Sequence, residues 1–247
     1  MKRYFLDLKD RRLLEVKTML EERGEKVFDF EDNIKDILGC DVCVVSPSYV
    51  WKREIISQLK NETTVFGGFM IADLETEKER LNYINLMKSE RFVVENARLT
   101  AEGFLVDLIS NTKKSLFDQK ILVLGNGRVA KAVWQVLHDL GVSFDCAMRD
   151  ELECFLSELV SKRSFLLKDI FIFLKEYDTV INTIPFQLFS DGTFFKKGAD
   201  VFELASKRCL KEGENSHVNY FLSPSLPAKY IPYSAGKLIF NEIIKGE

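Results

Sequence analysis

The residues best equipped for chemistry gather around Lys120-Ile-Leu-Val-Leu-Gly125-Asn-Gly127-Arg-Val-Ala130. Four apolar residues run into two glycines one residue apart, and a helix-period pattern begins at Arg128. Strand, tight turn and helix in that order match a dinucleotide fingerprint with alanine in its third place. Gly125 permits the tight turn, Gly127 lets the backbone approach a phosphate, and Ala130 is small where helix packs on strand. The amides at the helix start would face a pyrophosphate, held by Gly125, Asn126, Gly127, Arg128 and Val129. The next strand ends Ala147-Met148-Arg149-Asp150. A carboxylate there suits the ribose hydroxyl of NAD, and an arginine suits the 2′-phosphate of NADP. Arg149 comes first, so the pattern favours NADP, with NAD as the alternative. Asn182-Thr183-Ile184-Pro185 ends a later apolar strand, which puts Asn182, Thr183 and Pro185 where a nicotinamide would lie. Lys207, Arg208 and Lys229 could bind carboxylates. For each alone, a solvated surface charge is the simpler reading.

Positioning these groups requires a particular set of elements. Short β-rich runs alternate with helix-period segments from end to end, which predicts parallel sheets covered by helices on both faces. Expected strands are Arg3–Leu8, Lys26–Phe30, Asp41–Ser46, Thr63–Phe66 and Arg91–Glu95, then Lys120–Leu124, Ser143–Met148, Ser164–Leu167, Thr179–Ile184, Ala199–Leu204 and Asn219–Leu222. Expected helices are Arg11–Arg23, Tyr49–Leu59, Leu74–Met87, Thr100–Asn111, Arg128–Leu140, Glu151–Ser161, Asp169–Tyr177 and Ser234–Ile244. Thr100 reads as an N-cap that puts Glu102 in the positive first turn. The expected fold is α/β: two doubly wound, Rossmann-like domains with parallel sheets flanking a cleft. Residues 1–95 form a flavodoxin-like substrate domain, 96–116 an interdomain helix, 117–232 the Rossmann NADP-binding domain and 233–247 a C-terminal helix.

The totals exclude several classes. The chain has 247 residues and a net charge of −3, without a basic excess, so nucleic acid is a poor partner. No apolar run reaches the roughly 18 residues of a membrane span. No signal-peptide pattern follows Met1, so a cytoplasmic location is expected. Cys40-Asp-Val-Cys43 has redox or zinc spacing but lacks a second ligand pair, and core thiols are the simpler reading. His138 falls near the end of a helix, where a capping or surface role outweighs catalysis.

Several stretches together resemble one family. Asn96-Ala97-x-x-Thr100-Ala101-Glu102-Gly103, Val123-Leu124-Gly125-x-Gly127-Arg128, Ile181-Asn182-Thr183-Ile184-Pro185, Leu204-Ala205-Ser206-Lys207 and Leu226-Pro227 through Pro232-x-x-Ala235-Gly236 are similar, in order, to runs of the A-type subunit of dipicolinate synthase. The chain departs from the family pattern at Glu203, where aspartate is usual, at Arg208-Cys209-Leu210 in place of Pro-Gly-Gly, and at Ala228 in place of glycine. The resemblance implies NADP-linked oxidation of a dihydrodipicolinate to the aromatic dicarboxylate during sporulation, in company with a flavoprotein-like second subunit. It implies a small dicarboxylate substrate near Ser46, Thr100, Ala101, Ser206 and Lys207, with Glu102 as the base and Lys229 as a further catalytic group. A homo-oligomer stays open. So do a shikimate or 2-hydroxyacid type of dehydrogenase and a non-catalytic nucleotide-binding subunit.

Overall fold

The computed structural model describes residues 1–29, 38–47, 49, 51–68, 76–77, 79–211 and 217–246. The chain divides into two compact units. The first joins Met1–Leu99 to Pro227–Glu247, and the second is Thr100–Leu226. The closing helix therefore counts with the first unit. Among the described residues no helix is long and apolar enough to cross a membrane.

The first unit holds β1 (Arg3–Leu6), α1 (Arg11–Glu22), β2 (Lys26–Asp29), β3 (Val42–Val44), α2 (Arg53–Gln58), β4 (Thr64–Gly67) and β5 (Asn82–Asn85). It also holds the first part of α3 (Glu90–Asn111), and α7 (Pro232–Lys245), which follows the short α6 (Leu226–Tyr230). The five strands are parallel throughout in the order β2-β1-β3-β4-β5, the flavodoxin-like winding. Side chains alternate across the sheet as a period of two demands. Tyr4, Leu6, Val42, Val44 and Phe66 pack with Leu13 and Val16 of α1 and Ile239 and Ile243 of α7. Phe5, Cys43, Val45 and Val65 face Trp51, Ile55 and Ile56 instead. Each such fully buried side chain contributes about 1.5–3 kcal/mol. Cys40 and Cys43 lie in this second layer as free thiols, and burial pushes the Cys43 thiol well up. They are core residues.

The second unit holds β6 (Ile121–Leu124), α4 (Arg128–Asp139), β7 (Phe144–Met148), α5 (Glu151–Ser157), β8 (Arg163–Leu166), β9 (Thr179–Asn182), β10 (Asp200–Glu203) and β11 (Asn219–Leu222). These six parallel strands run β11-β10-β9-β6-β7-β8. In domain order that is 6-5-4-1-2-3, the doubly wound dinucleotide arrangement, with its reversal between β6 and β9. At the opposite end of the strands, Asp178 gathers Lys196 Nζ at 2.7 Å, Lys114 Nζ at 3.0 Å and the Lys120 amide at 3.2 Å.

Three sequence expectations need correction. The helix expected over Leu74–Met87 begins outside the described residues, and its later part is a strand followed by a 3₁₀ turn that starts at Leu86. Asn82–Asn85 is instead a strand whose ladder runs Thr64↔Asn82 to Gly67↔Asn85. The charged run before it imitates a helix, whereas Tyr83 and Ile84 serve the open edge of β4. Arg91–Glu95 is helical, not a strand. Its β-branched pair Val93-Val94 favours a strand, but Ser89 Oγ accepts the Phe92 amide at 3.3 Å, and Ala97, Ala101, Phe104 and Leu108 bury one helical stripe. Thr100 is consequently in mid-helix and is not an N-cap, and Glu102 does not sit in a positive first turn. Asp169–Tyr177 folds as two 3₁₀ turns, although Ile170, Leu174 and Tyr177 bury the same face that a helix would.

Two expected outcomes follow from this packing. A side chain at Gly236 would meet Arg12 O at 2.5 Å and Glu15 Cβ at 2.7 Å. Gly236→Val should therefore cost about 2 kcal/mol or more, read as a lower urea midpoint at unchanged slope. Burial alone would raise the Asp178 carboxyl, but Lys196, Lys114 and the Lys120 amide outweigh it and hold it at about 2. A depressed carboxylate contributes stability above its unfolded value near 3.8 and loses it as pH falls toward 2. Acid titration of folded Asp178→Asn should show a flatter decline between about pH 4 and pH 2 than the parent chain.

Candidate functional site

The site grows from the end of β6. Ile121–Leu124 are all buried, and the chain must then leave the sheet in one residue. Gly125 does so at φ +109°, a conformation that side chains rarely adopt. Its amide donates to Ala147 O at 2.8 Å, which carries the ladder one step past β6. A Cβ at Gly125 would lie 2.3 Å from Thr183 Oγ1. That hydroxyl donates to Leu124 O at 2.8 Å, and the Thr183 amide reaches the same oxygen at 3.1 Å. The glycine turn and the Asn-Thr-Ile-Pro stretch are therefore pressed together across the β6/β9 reversal.

Gly127 is the N-cap of α4 and, having no side chain, makes no side-chain cap bond to this terminus. By contrast, Asp10 caps α1 and Asp150 caps α5. Gly127 is exposed, and the place where a Cβ would stand is open space. The first turn of α4 also lacks an acidic side chain, so its positive end remains available to an anion. These residues fit a pyrophosphate.

Arg149 and Asp150 follow β7 and have separate tasks. Asp150 Oδ1 accepts the Glu153 amide at 2.9 Å, an ordinary helix cap. Arg149 lays its guanidinium 5.5 Å from the centre of the Phe186 ring. Since β6 lies between β7 and β9, this contact arches across the end of β6.

Asn182 is fully buried, and its side chain faces inward. Its Oδ1 accepts the Ile184 amide at 3.1 Å, while Nδ2 donates to Ile184 O at 3.0 Å and to Glu203 Oε1 at 2.7 Å. Asn182 therefore shapes the turn that presents Thr183 and Pro185. Glu203, which the sequence marks as a departure from the family's usual aspartate, is 3% exposed. It accepts from Asn182 Nδ2, from the Ala205 amide at 3.0 Å, from the Cys209 amide at 2.7 Å and from Tyr220 Oη at 2.8 Å. Four donors fill the acceptor capacity of one carboxylate. Burial, together with the charges and hydrogen bonds of Glu203 and Cys209, pushes the Tyr220 hydroxyl upward. The Arg208-Cys209-Leu210 departure also has a structural account. Cys209 O accepts the Leu188 and Phe189 amides at 2.8 and 2.9 Å, and Cys209 and Leu210 enter the core.

The remaining candidates are spread over both units. Ser206 and Lys207 are exposed in the turn after β10 that Glu203 organises. On α3, Ala101 is buried and Glu102 is exposed. Next to them, Gly103 lets the helix approach Leu226, where a Cβ would be 3.1 Å from Leu226 O. Phe104 meets the Phe202 ring edge-on at 5.4 Å. Ser46 and Lys229 belong to the first unit. Ser46 is buried after β3, and exposed Lys229 offers its carbonyl to Arg11 Nη1 at 2.9 Å. The described residues hold no cluster of three or more histidine, cysteine or acidic side chains suited to a metal ion.

No family model matches the chain. The A-type subunit of dipicolinate synthase from Bacillus subtilis strain 168 is 22% identical over 203 residues, covering 79% of this chain and 68% of that protein. The crystal structure of the corresponding dipicolinate synthase protein from Bacillus halodurans superimposes with a TM-score of 0.85 at 20% identity, covering 99% of this chain and 97% of the other. The chain is a divergent relative of these A-type dipicolinate synthase proteins. The fold extends beyond that relationship. NAD-dependent formate dehydrogenase from Staphylococcus aureus, solved with NAD, gives a TM-score of 0.60 at 17% identity over 99% of this chain and 95% of its own. Two close approaches join stretches on which the sequence resemblance rests: Gly103 against Leu226, and Gly125 against Thr183.

The Glu203 hub gives a direct test. Glu203→Gln would turn an amide nitrogen toward two of the four donors. It should cost about 2 kcal/mol or more in urea unfolding, whereas Tyr220→Phe, which removes one donor, should cost about 1 kcal/mol.

Proposed function

We propose that the chain is a nicotinamide-dinucleotide oxidoreductase subunit of the dipicolinate synthase A type, with NADP as its preferred cofactor. The observation that carries this reading is the start of α4, capped by a glycine without a side chain and lacking an acidic residue in its first turn, set behind Gly125-x-Gly127 at the β6/β9 reversal of a dinucleotide-type sheet. The Bacillus relatives, named as one subunit of dipicolinate synthase, and the NAD-bound formate dehydrogenase support it.

In this reading Gly125, Asn126, Gly127, Arg128 and Val129 hold the pyrophosphate. Arg149 leaves Phe186 to meet the 2′-phosphate. Thr183 and Pro185 border the nicotinamide, and Asn182 keeps their turn in place. The bound cofactor would supply the hydride acceptor. Oxidation of a dihydropyridine dicarboxylate to its aromatic form gives up one hydride and one proton, and aromatisation drives it, so the protein's task is largely positional. Glu102 is the proposed base for the proton. Ser46, Thr100, Ala101, Ser206, Lys207 and Lys229 are the proposed substrate-handling residues, with the two lysines as partners for carboxylates. A cytoplasmic setting during sporulation and a flavoprotein-like second subunit complete the proposal.

Isothermal titration with NADPH and NADH tests it. Both should bind, NADPH more tightly. Arg149→Ala should remove most of that difference and leave NADH binding nearly unchanged. Gly127→Val should weaken both by at least roughly tenfold, about 1.4 kcal/mol. Failure of the folded parent chain to bind either nucleotide would refute the reading.

A further inference from the structure

Helix α5 is amphipathic the wrong way round. Leu152, Phe155, Leu156 and Leu159 recur at i, i+3, i+4 and i+7 through α5 and the turn that continues it, the spacing of one helical stripe. A helix on the face of a sheet normally buries that stripe. Here the four side chains are 65%, 70%, 46% and 81% exposed. The inward side carries small polar groups instead. Cys154 Sγ donates to Phe165 O at 3.1 Å, and Ser157 Oγ donates to Cys154 O at 2.8 Å and lies 2.5 Å from Ser164 Oγ. Ser161 Oγ joins the same hydroxyl at 3.1 Å. This polar contact fixes the rotation of the helix, so the apolar stripe cannot roll under without orphaning buried hydroxyls. Contiguous apolar surface of this kind marks a site of protein association.

The neighbourhood says what kind of partner fits. Beside the stripe lies an open cavity of about 230 Å³, apolar at Trp134, Leu156 and Val160 and polar where Lys131, Gln135, Glu153 and Ser157 border it, large enough to seat a side chain. The buried indole N–H of Trp134 has no acceptor among the described residues. Glu151 and Glu158, seven residues apart, edge the stripe on one side, and both are exposed. Glu153 stands on the other edge, already bonded to Lys131 at 2.9 Å. A second copy is therefore a poor occupant. A dyad that runs the two helices antiparallel sets the Glu151/Glu158 edge against itself. One that runs them parallel sets it against Glu153, whose charge Lys131 already answers. Like charges meet directly in the first case, and the second leaves Glu151 and Glu158 facing a carboxylate whose cation is already engaged.

We propose that α5 is the docking face for a helix of a different protein, one with an apolar stripe edged by lysine or arginine. The proposal does not depend on which nucleotide binds at the α4 turn.

The test uses the full chain and two stapled, fluorescein-labelled helical peptides. Both carry leucine at i, i+3, i+4 and i+7, one with lysine along the edges and the other with glutamate. By fluorescence anisotropy the lysine peptide should bind saturably, at least roughly tenfold more tightly than the glutamate peptide. Phe155→Ser and Leu159→Ser should each weaken it by a similar factor, whereas Leu140→Ser, at an exposed leucine outside the stripe, should not. These side chains are exposed, so circular dichroism and thermal midpoints should match the parent chain. Equal binding of the two peptides, or binding indifferent to Phe155→Ser and Leu159→Ser, overturns the proposal. So does sedimentation equilibrium showing a dimer of the parent chain that Leu159→Ser dissociates.

Discussion

The second unit depends on a contact too close to admit a side chain. Gly125 must leave β6 at positive φ, and Thr183 must close over it while binding the Leu124 carbonyl twice. Either demand alone would select glycine. Together they fix how far apart the ends of β6 and β9 stand, and that separation defines the mouth in front of α4. The open first turn of α4 matters only because this contact places it at the strand reversal.

Around that contact lies a second level of support, centred on a buried carboxylate. Glu203 binds the side chain of Asn182, the backbone after β10, the segment near Cys209 and the hydroxyl of Tyr220. The carboxylate thus couples three neighbouring strand ends and the loop that carries Ser206 and Lys207. Rigidity at the site comes from buried polar bonding as much as from apolar packing, because strand ends have no further ladder to hold them. Asp178 performs a comparable service at the other end of the sheet, with lysines in place of neutral donors.

Much of this was legible in the residues. Strand–turn–helix at Lys120–Trp134 and the β/α alternation gave the winding of both sheets, since glycine punctuation and apolar periodicity are local signals. The errors came where tertiary context overrode local preference. Phe92-Val93-Val94 looks like a strand until Ser89 and the buried alanine stripe make it helix. Asn82–Asn85 looks like the tail of a charged helix until β4 offers it an edge. At the site, the glycines were found by type and spacing. The inward direction of Asn182 and the convergence on Glu203 were not, because side-chain direction at a strand end depends on partners many residues away. Phe186 was missed for the same reason: nothing in its own stretch announces that Arg149 will reach it across β6.

The adjacency of Arg149 and Asp150 has a further consequence. One residue lies over the ring beside the nucleotide turn, and the next caps α5. A single peptide bond joins the two residues, so a backbone displacement of either is felt by the other. Should occupancy at the turn shift this dipeptide, the first turn of α5 would move with it, and an occupant of α5 would act in the reverse direction. Thermodynamic reciprocity then sets the two effects equal: whatever factor one ligand imposes on the other's affinity is returned unchanged.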